Sequence, residues 1–216
     1  MSAREDILTR IRSKVGEAQG REAAVTARLA AHARGLIPVR GQGDIAHRIR
    51  IFTEMMQAVG GTVELIDDLD DVPEQVATYL RSQNLPAHIR RGSDAIFAKL
   101  PWHRAGTVQV DEGRAVDSDK ASLTRAFAGV AETGTIIQLS GPESPTTLNF
   151  LPEVHIVVLE AENLFASYEE VWTKLRARRM PRTVNMISGP SRTGDIEQTI
   201  VRPAHGPKNM HVIIVR

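Results

Sequence analysis

Apolar residues recur at helical spacing in several stretches of the chain and run almost without interruption in two others. Ile7, Leu8, Ile11 and Val15 share one helical face, and Ser2-Ala3-Arg4-Glu5 at its start has the spacing of a capping box. A second helical stretch, around Arg21 to Ala33, carries Val25 and Leu29 among alanines. That thin stripe would be satisfied by packing against the first helix, the alternative being an arm that docks on a second protein. Gly41-Gln42-Gly43-Asp44 breaks the chain. Asp44 then caps a helix with a wide stripe of Ile45, Ile49, Phe52, Met55, Met56 and Val59, which ends at Gly60-Gly61.

Thr62 to Ile66 reads as the first strand, Glu74 to Gln83 as a helix and Ala87 to Arg90 as a second strand. This alternation is the pattern of a parallel sheet. The acidic run Asp67 to Asp71 lacks the spacing of a calcium loop and reads as solvated. Between residues 91 and 117, Ile96, Phe97, Leu100 and Trp102 form a short apolar helix edge, and Val108 and Val110 alternate like a brief strand. His103, beside Trp102, is given no role. Residues 119–128 predict a helix capped by Ser118 or Asp119, with Leu123 and Phe127 on one face. Gly129 to Ala131 and Gly134 to Leu139 predict two short strands reversing at Glu132-Thr133. Ser140 to Thr147 is the longest clear loop and is placed to lie over a pocket.

Val154 to Leu159 and Met210 to Val215 are near-continuous apolar runs, the mark of strands covered on both faces, so both belong at the centre of the sheet. Each has a histidine as its second residue. His155 and His211 are expected to be buried and hydrogen-bonded rather than metal ligands, and no metal site is assigned. Between these runs, Phe165 to Arg179 predicts a helix with Tyr168, Val171, Trp172 and Leu175 on one face. Lys174, Arg176, Arg178, Arg179 and Arg182 gather at its end, where cations complement the helix dipole. Docking of a partner there is the alternative.

The expected fold is α/β: three layers around a mostly parallel sheet, with an N-terminal helical arm over residues 1–40 and an α/β domain over 41–216. A length of 216 residues with 42% hydrophobic content suits one sizeable core. A formal net charge of +1 supplies no field that would draw nucleic acid or an anionic membrane. With no cysteine, the chain has no thiolate for a nucleophile or for a cysteine-ligated iron–sulfur cluster. No apolar run approaches the roughly 20 residues of a membrane span, and the expected compartment is the cytoplasm.

Candidate chemistry concentrates near the C-terminus, in Ile187-Ser188-Gly189-Pro190-Ser191-Arg192-Thr193-Gly194-Asp195-Ile196-Glu197 and the following His205-Gly206-Pro207. An apolar run enters a turn of small and polar residues with a helix-like segment after it, an arrangement that can gather backbone N–H groups around an anion. Ser191 or Thr193 can cap that segment, Arg192 offers a planar fork of donors, and Asp195 and Glu197 add carboxylates. The same residues are also what any well-capped helix shows, and they match neither the P-loop nor the dinucleotide fingerprint.

Gly189-Pro190-Ser191-Arg192-Thr193-Gly194-Asp195-Ile196-Glu197, His205-Gly206-Pro207, Ala131-Glu132-Thr133-Gly134-Thr135 and Leu151-Pro152-Glu153-Val154-His155-Ile156 together resemble the lactate-utilisation protein C family (LutC/YkgG, LUD domain). Two departures are Gly194, where the family pattern has alanine, and Arg202-Pro203-Ala204, which replaces a more apolar lead into His-Gly-Pro. The resemblance implies a fold of the NagB/RpiA/CoA-transferase-like group, with the Ser188-to-Thr193 turn beyond the carboxyl ends of the strands. It implies a component of bacterial L-lactate oxidation to pyruvate, with no cofactor in this chain and iron–sulfur clusters on partner proteins. Self-association into a homo-oligomer is left open. It also makes Glu132 and His205 catalytic candidates, and Thr133, Gly134, Thr135, Gly189, Pro190, Ser191, Arg192, Thr193, Asp195, Glu197 and Gly206 ligand-binding candidates, all expected around one small anion. The alternatives are a free-standing enzyme on an acyl or phosphorylated small molecule, with Glu132 as nucleophile or base, and a non-catalytic metabolite-binding or assembly module.

Overall fold

The computed structural model describes residues 2–15, 20–192 and 205–216. The chain divides into two compact units, Met1–Leu36 and Ile37–Arg216. In the first, α1 (Ala3–Val15) opens with the expected capping box: Ser2 N–H donates to Glu5 Oε2 at 2.7 Å and Glu5 N–H to Ser2 Oγ at 3.3 Å. α2 (Arg21–Ala31) follows Gly20. Neither helix buries a residue, and Ile7, Ile11, Val15, Val25 and Leu29 stay exposed, so the expected mutual packing does not cover either stripe.

The second unit runs α3 (Ile45–Ala58), β1 (Thr62–Ile66), α4 (Val72–Ser82), β2 (His88–Arg91), α5 (Ala95–Lys99), β3 (Gln109–Glu112), β4 (Ala121–Arg125), β5 (Ala128–Val130), β6 (Thr135–Leu139), α6 (Thr147–Phe150), β7 (Val154–Glu160), β8 (Leu164–Phe165), α7 (Tyr168–Arg176), β9 (Val184–Ile187) and β10 (Asn209–Val215). Six strands form one sheet in the order β1-β10-β7-β4-β2-β3, with every neighbouring pair parallel. As their apolar runs required, β7 and β10 lie inside it, side by side. A second sheet of order β8-β5-β6-β9 is mixed: β5, β6 and β9 pair antiparallel through the reversal at Ala131–Thr133, and β8 adds parallel to β5.

Alternation along the parallel strands sorts the core into layers. Ile156, Val158, Leu123, Ile213 and Val215 pack with Val76 and Leu80 of α4 and Phe97 of α5. Val157, Leu159, Val212 and Ile214 point the other way, against Phe52 and Met56 of α3 and Ile136 and Leu164 of the second sheet. The far side of the second sheet, through Val130 and Ile137, packs on Val171 of α7. The parallel sheet is thus covered by helices on one face and by a helix plus a smaller sheet on the other.

One predicted element is a different structure. Residues 119–128 hold no helix but the strand β4, paired with β2 and β7, and the start of β5. Leu123 and Phe127 fit a helical face, yet the segment is short and buried on both sides, and two strand neighbours outweigh one local helical turn. Asp119, expected as a helix cap, instead accepts from the Val116 N–H at 2.8 Å and from Arg90 Nε at 2.9 Å.

Candidate functional site

β9 runs into the Ser188–Ser191 turn, and the backbone there is dictated by glycine. Gly189 has φ +94, and a Cβ on it would lie 2.4 Å from Val59 Cγ2 of the residue capping α3, so no other residue fits without displacing the helix end. Pro190 is buried behind it. Ser191 then clasps the distant histidine loop by two bonds: its N–H donates to Pro207 O at 2.8 Å, and its Oγ accepts from the His205 N–H at 3.1 Å. Segments far apart in sequence are thereby fastened around a cavity of about 270 Å³. Asn149 and Phe150 of α6 and His155 and Met210, the second residues of β7 and β10, complete its wall.

The turn does stand at the carboxyl end of a strand, but β9 belongs to the mixed sheet. The parallel sheet presents its amino ends to this cavity. The expectation that placed the turn beyond the carboxyl ends of the parallel strands is corrected accordingly, because β9 pairs with β6 rather than with β10.

Buried polarity marks this end of the sheet. On the face where β7 and β10 carry Val157 and Val212, β4 carries Ser122 and Thr124. Ser122 Oγ donates to Leu148 O at 2.6 Å. Gln138 Nε2 donates to Thr124 Oγ1 at 2.8 Å, and Thr124 Oγ1 lies 2.7 Å from His155 Nε2. If the Thr124 hydroxyl, accepting from Gln138, gives its own proton to Nε2, His155 is the neutral Nδ1–H tautomer; if it accepts from Nε2–H as well, Nδ1 is an acceptor. Burial pushes the His155 pKa down to about 3, so the ring is neutral at physiological pH. His155 Nδ1 and Asn149 Oδ1 are both buried and have no hydrogen-bond partner among the described residues. Asn149 and His155 thus stand at the cavity with one unpaired polar atom each buried beneath its surface, beside Ser188, Ser191 and His205 and apolar surface from Phe150, Met186 and Met210. A small molecule bearing a carboxylate and a hydroxyl can pair with groups that are costly to leave unpaired, the hydroxyl donating to Asn149 Oδ1.

Of the residues singled out in the sequence, Gly189, Pro190, Ser191, His205 and Gly206 line this cavity. Arg192 follows directly and is half-buried, with Nε lacking a partner among the described residues. Thr193, Asp195 and Glu197 lie outside the described residues. Thr135 reaches the turn by a 2.6 Å hydrogen bond to Ser188 Oγ, and it also bonds Tyr168 Oη and Thr133 Oγ1 at 2.7 Å each. Gly134 packs over Met55 and Met56. Glu132 sits one layer away, with Oε1 accepting from the Tyr168 N–H at 3.3 Å, and is not among the described residues that line the cavity. Its Oε2 is buried without a partner among the described residues.

Asn149, Thr124 and Gln138 were not read as site residues, and His155 only as a structural histidine. The available signal was the polar alternation of Ser122 and Thr124 inside a buried strand, which the helical reading of 119–128 hid. His211, its apparent twin, faces the other side: the register sets His155 beside Met210 and His211 beside Ile156. There His211 stacks on Tyr79 with ring centroids 4.1 Å apart and bonds Thr62 Oγ1 at 2.8 Å.

The LUD domain family matches residues 49–215. Protein YkgG of Escherichia coli K12 is 34% identical over 171 residues, covering 75% of this chain and 71% of that protein. A lactate utilization protein C of Halalkalibacterium halodurans is 30% identical over 118 residues, which are 52% of this chain and 50% of that protein. The chain thus spans about half the length of that relative. The crystal structure of a DUF162 family protein from Deinococcus radiodurans superposes with a TM-score of 0.60 at 19% identity, covering 81% of this chain and all of that one, and shares the fold. The chain belongs to the LUD domain family.

Proposed function

We propose that this LUD-domain chain serves lactate utilisation as a ligand-binding component without a cluster of its own, and that the cavity between the Ser188–Ser191 turn and the His205–Pro207 loop takes a small 2-hydroxy or 2-oxo acid. The name lactate utilization protein C carried by relatives supports the pathway. The observation that supports the ligand is that His155 and Asn149, both lining the cavity, each keep a buried polar atom, Nδ1 and Oδ1, without a partner among the described residues, which a small shift of either side chain would turn to a ligand. In the Nδ1–H tautomer His155 suits a carboxylate oxygen, and Asn149 Oδ1 suits the hydroxyl proton of a 2-hydroxy acid. His205 also lines the cavity, and in this reading it is the base that takes the hydroxyl proton from Asn149 Oδ1 when the acid is oxidised. Oxidation of L-lactate to pyruvate releases two electrons and two protons. His205 takes the hydroxyl proton, and the C2 hydrogen leaves as a proton with its two electrons going to iron–sulfur partner proteins of the same cytoplasmic system, since a chain with no cysteine cannot hold a cysteine-ligated cluster itself.

Calorimetric titration with L-lactate and pyruvate tests the site. Binding by the wild type and at least tenfold weaker binding by Asn149→Leu supports it, whereas equal affinity in the two removes the cavity from the function. Co-purification of iron–sulfur proteins with the tagged chain from its host tests the partners.

A second reading rests on Glu132, a buried carboxylate whose Oε2 is free among the described residues. It makes the chain a free-standing enzyme on an acyl or phosphorylated molecule with Glu132 as nucleophile or base. Turnover by the isolated chain, abolished in Glu132→Gln, would establish it over the first.

A further inference from the structure

The carboxyl ends of the parallel strands face a different cavity. β2, β4 and β7 end at Arg91, Arg125 and Glu160, and a space of about 1120 Å³ opens beyond them, bounded by Asp94, Arg125, Phe127, Glu162 and Asn163. The order of the sheet reverses direction between the neighbours β2 and β4: β2 is followed by the edge strand β3 on the outer side, whereas the next strand of this sheet after β4, reached through β5, β6 and α6, is β7 on the inner side. A crevice between such strands is where open α/β sheets receive ligands. Asp94 and Arg125, 3.8 Å apart, flank it. The loop Ser140–Ser144 forms the opposite wall, seated so closely that a Cβ on Gly92 would lie 1.9 Å from Glu143 O.

Charge distinguishes this space. Arg125 is held by Glu160, with Nη2 2.7 Å from Oε2. Lys174 and Arg178 lie 5.5 and 5.4 Å from the centre of the Phe127 ring, which fixes both cations at the rim. Arg178, Arg179 and Arg182 line the cavity and make no ion pair among the described residues. Their position at the end of α7 explains one cation through the helix dipole, but not three arginines gathered on one cavity at the switch point. Arginine forks match phosphate and carboxylate oxygens two at a time. Each exposed pair is weak and screened by salt, so the wall favours a ligand that engages several arginines at once.

We propose that this cavity is a second ligand site, separate from the Ser191 cavity, which binds a small polyanion carrying two or more negative charges on phosphate or carboxylate groups. Arg178, Arg179 and Arg182 hold the anion, and Asp94 and Glu143 face its uncharged polar part.

Titration of the full chain at low salt with pyrophosphate, and separately with citrate, tests this. Saturable binding of either, weakened at least tenfold in an Arg178→Ala/Arg182→Ala double variant, is the expected result, and the tighter of the two anions tells phosphate from polycarboxylate. The charge-matched double variant Arg4→Ala/Arg10→Ala should bind as the wild type does. Absence of binding by the wild type, equal binding by the cavity variant, or equal weakening in the charge-matched control would each overturn the proposal. All four arginines are exposed, so the variants are expected to fold.

Discussion

The two cavities of the α/β unit sit at opposite ends of the same parallel strands and are built by opposite means. The amino-end cavity is small, and its polarity comes from buried neutral groups, His155 of β7, backed by Thr124 and Gln138, and Asn149 of α6. The carboxyl-end cavity is about four times larger, and its polarity comes from exposed arginines at the end of α7. In the first, hydrogen bonds form away from water and a wrong ligand leaves buried groups unpaired, which gives specificity. In the second, water and salt weaken every contact, so charge number matters more than shape. Gln138 belongs to both: it lines the wide cavity and donates to the Thr124 hydroxyl that bonds His155.

Breaking this contrast should show first in acid. Burial holds the His155 pKa near 3 and that of His211 near 4, below the ordinary 6.5. The unfolded chain therefore takes up these protons first as pH falls. Stability from the neutral rings is complete above pH 6.5 and is lost as pH falls toward 4 and then 3, an effect on the order of 4 kcal/mol for His155. Urea unfolding at several pH values should give a steeper loss for the wild type than for His155→Gln, and parallel curves would show that the ring is not buried as described.

Next in size is Asp119→Ala. Burial works to raise the Asp119 pKa, but Arg90 and the Val116 N–H hold the carboxyl below its usual range. The substitution leaves Arg90 with only the half-exposed Asp111, 3.5 Å away, among the described residues, and leaves the Val116 N–H unpaired, and should cost about 2 kcal/mol in chemical denaturation. A loss comparable to that of a surface change would mean that water replaces the carboxylate there.

Thr124→Val keeps the shape but leaves Gln138 Nε2 and His155 Nε2 without their shared partner, at a cost of about 1–3 kcal/mol. It also frees the His155 tautomer, so lactate affinity should fall several-fold while Thr124→Ser restores it. Unchanged affinity in the valine variant would detach the buried chain of hydrogen bonds from the amino-end cavity. The smallest effect sharpens the comparison: raising ionic strength from about 0.01 to 0.15 M shortens the Debye length from about 30 to 8 Å. Pyrophosphate binding should weaken several-fold over this range and lactate binding by less than twofold. Equal salt dependence would place both ligands on the same arginines.

Much of the element pattern was legible because local chemistry decided it. The Ser2–Glu5 box, the Asp44 cap whose Oδ1 accepts from the His47 N–H at 2.8 Å, and the reversal at Glu132-Thr133 each depend on residues a few positions apart. The continuous apolar runs of β7 and β10 likewise required two covered faces wherever the strands went. The Gly-Pro-Ser and His-Gly-Pro segments identified the family, and the Ser191 clasp shows why they occur together.

Tertiary structure decided what depends on partners far away in sequence. Residues 119–128 became β4 because β2 and β7 were there to pair with, and β9 went to β6 instead of the parallel sheet, which moved its turn to the amino ends. Strand exchange of this kind leaves no periodicity to read, since a short apolar run fits either sheet. The same holds for the two cavities. The sequence by itself determined that serine, arginine and histidine would cluster near the C-terminus and that cations would end α7. Only the packed structure set His155 and Asn149 beside one cluster and opened the crevice of β2 and β4 beside the other, because register and burial are properties of segments that meet, not of any one of them.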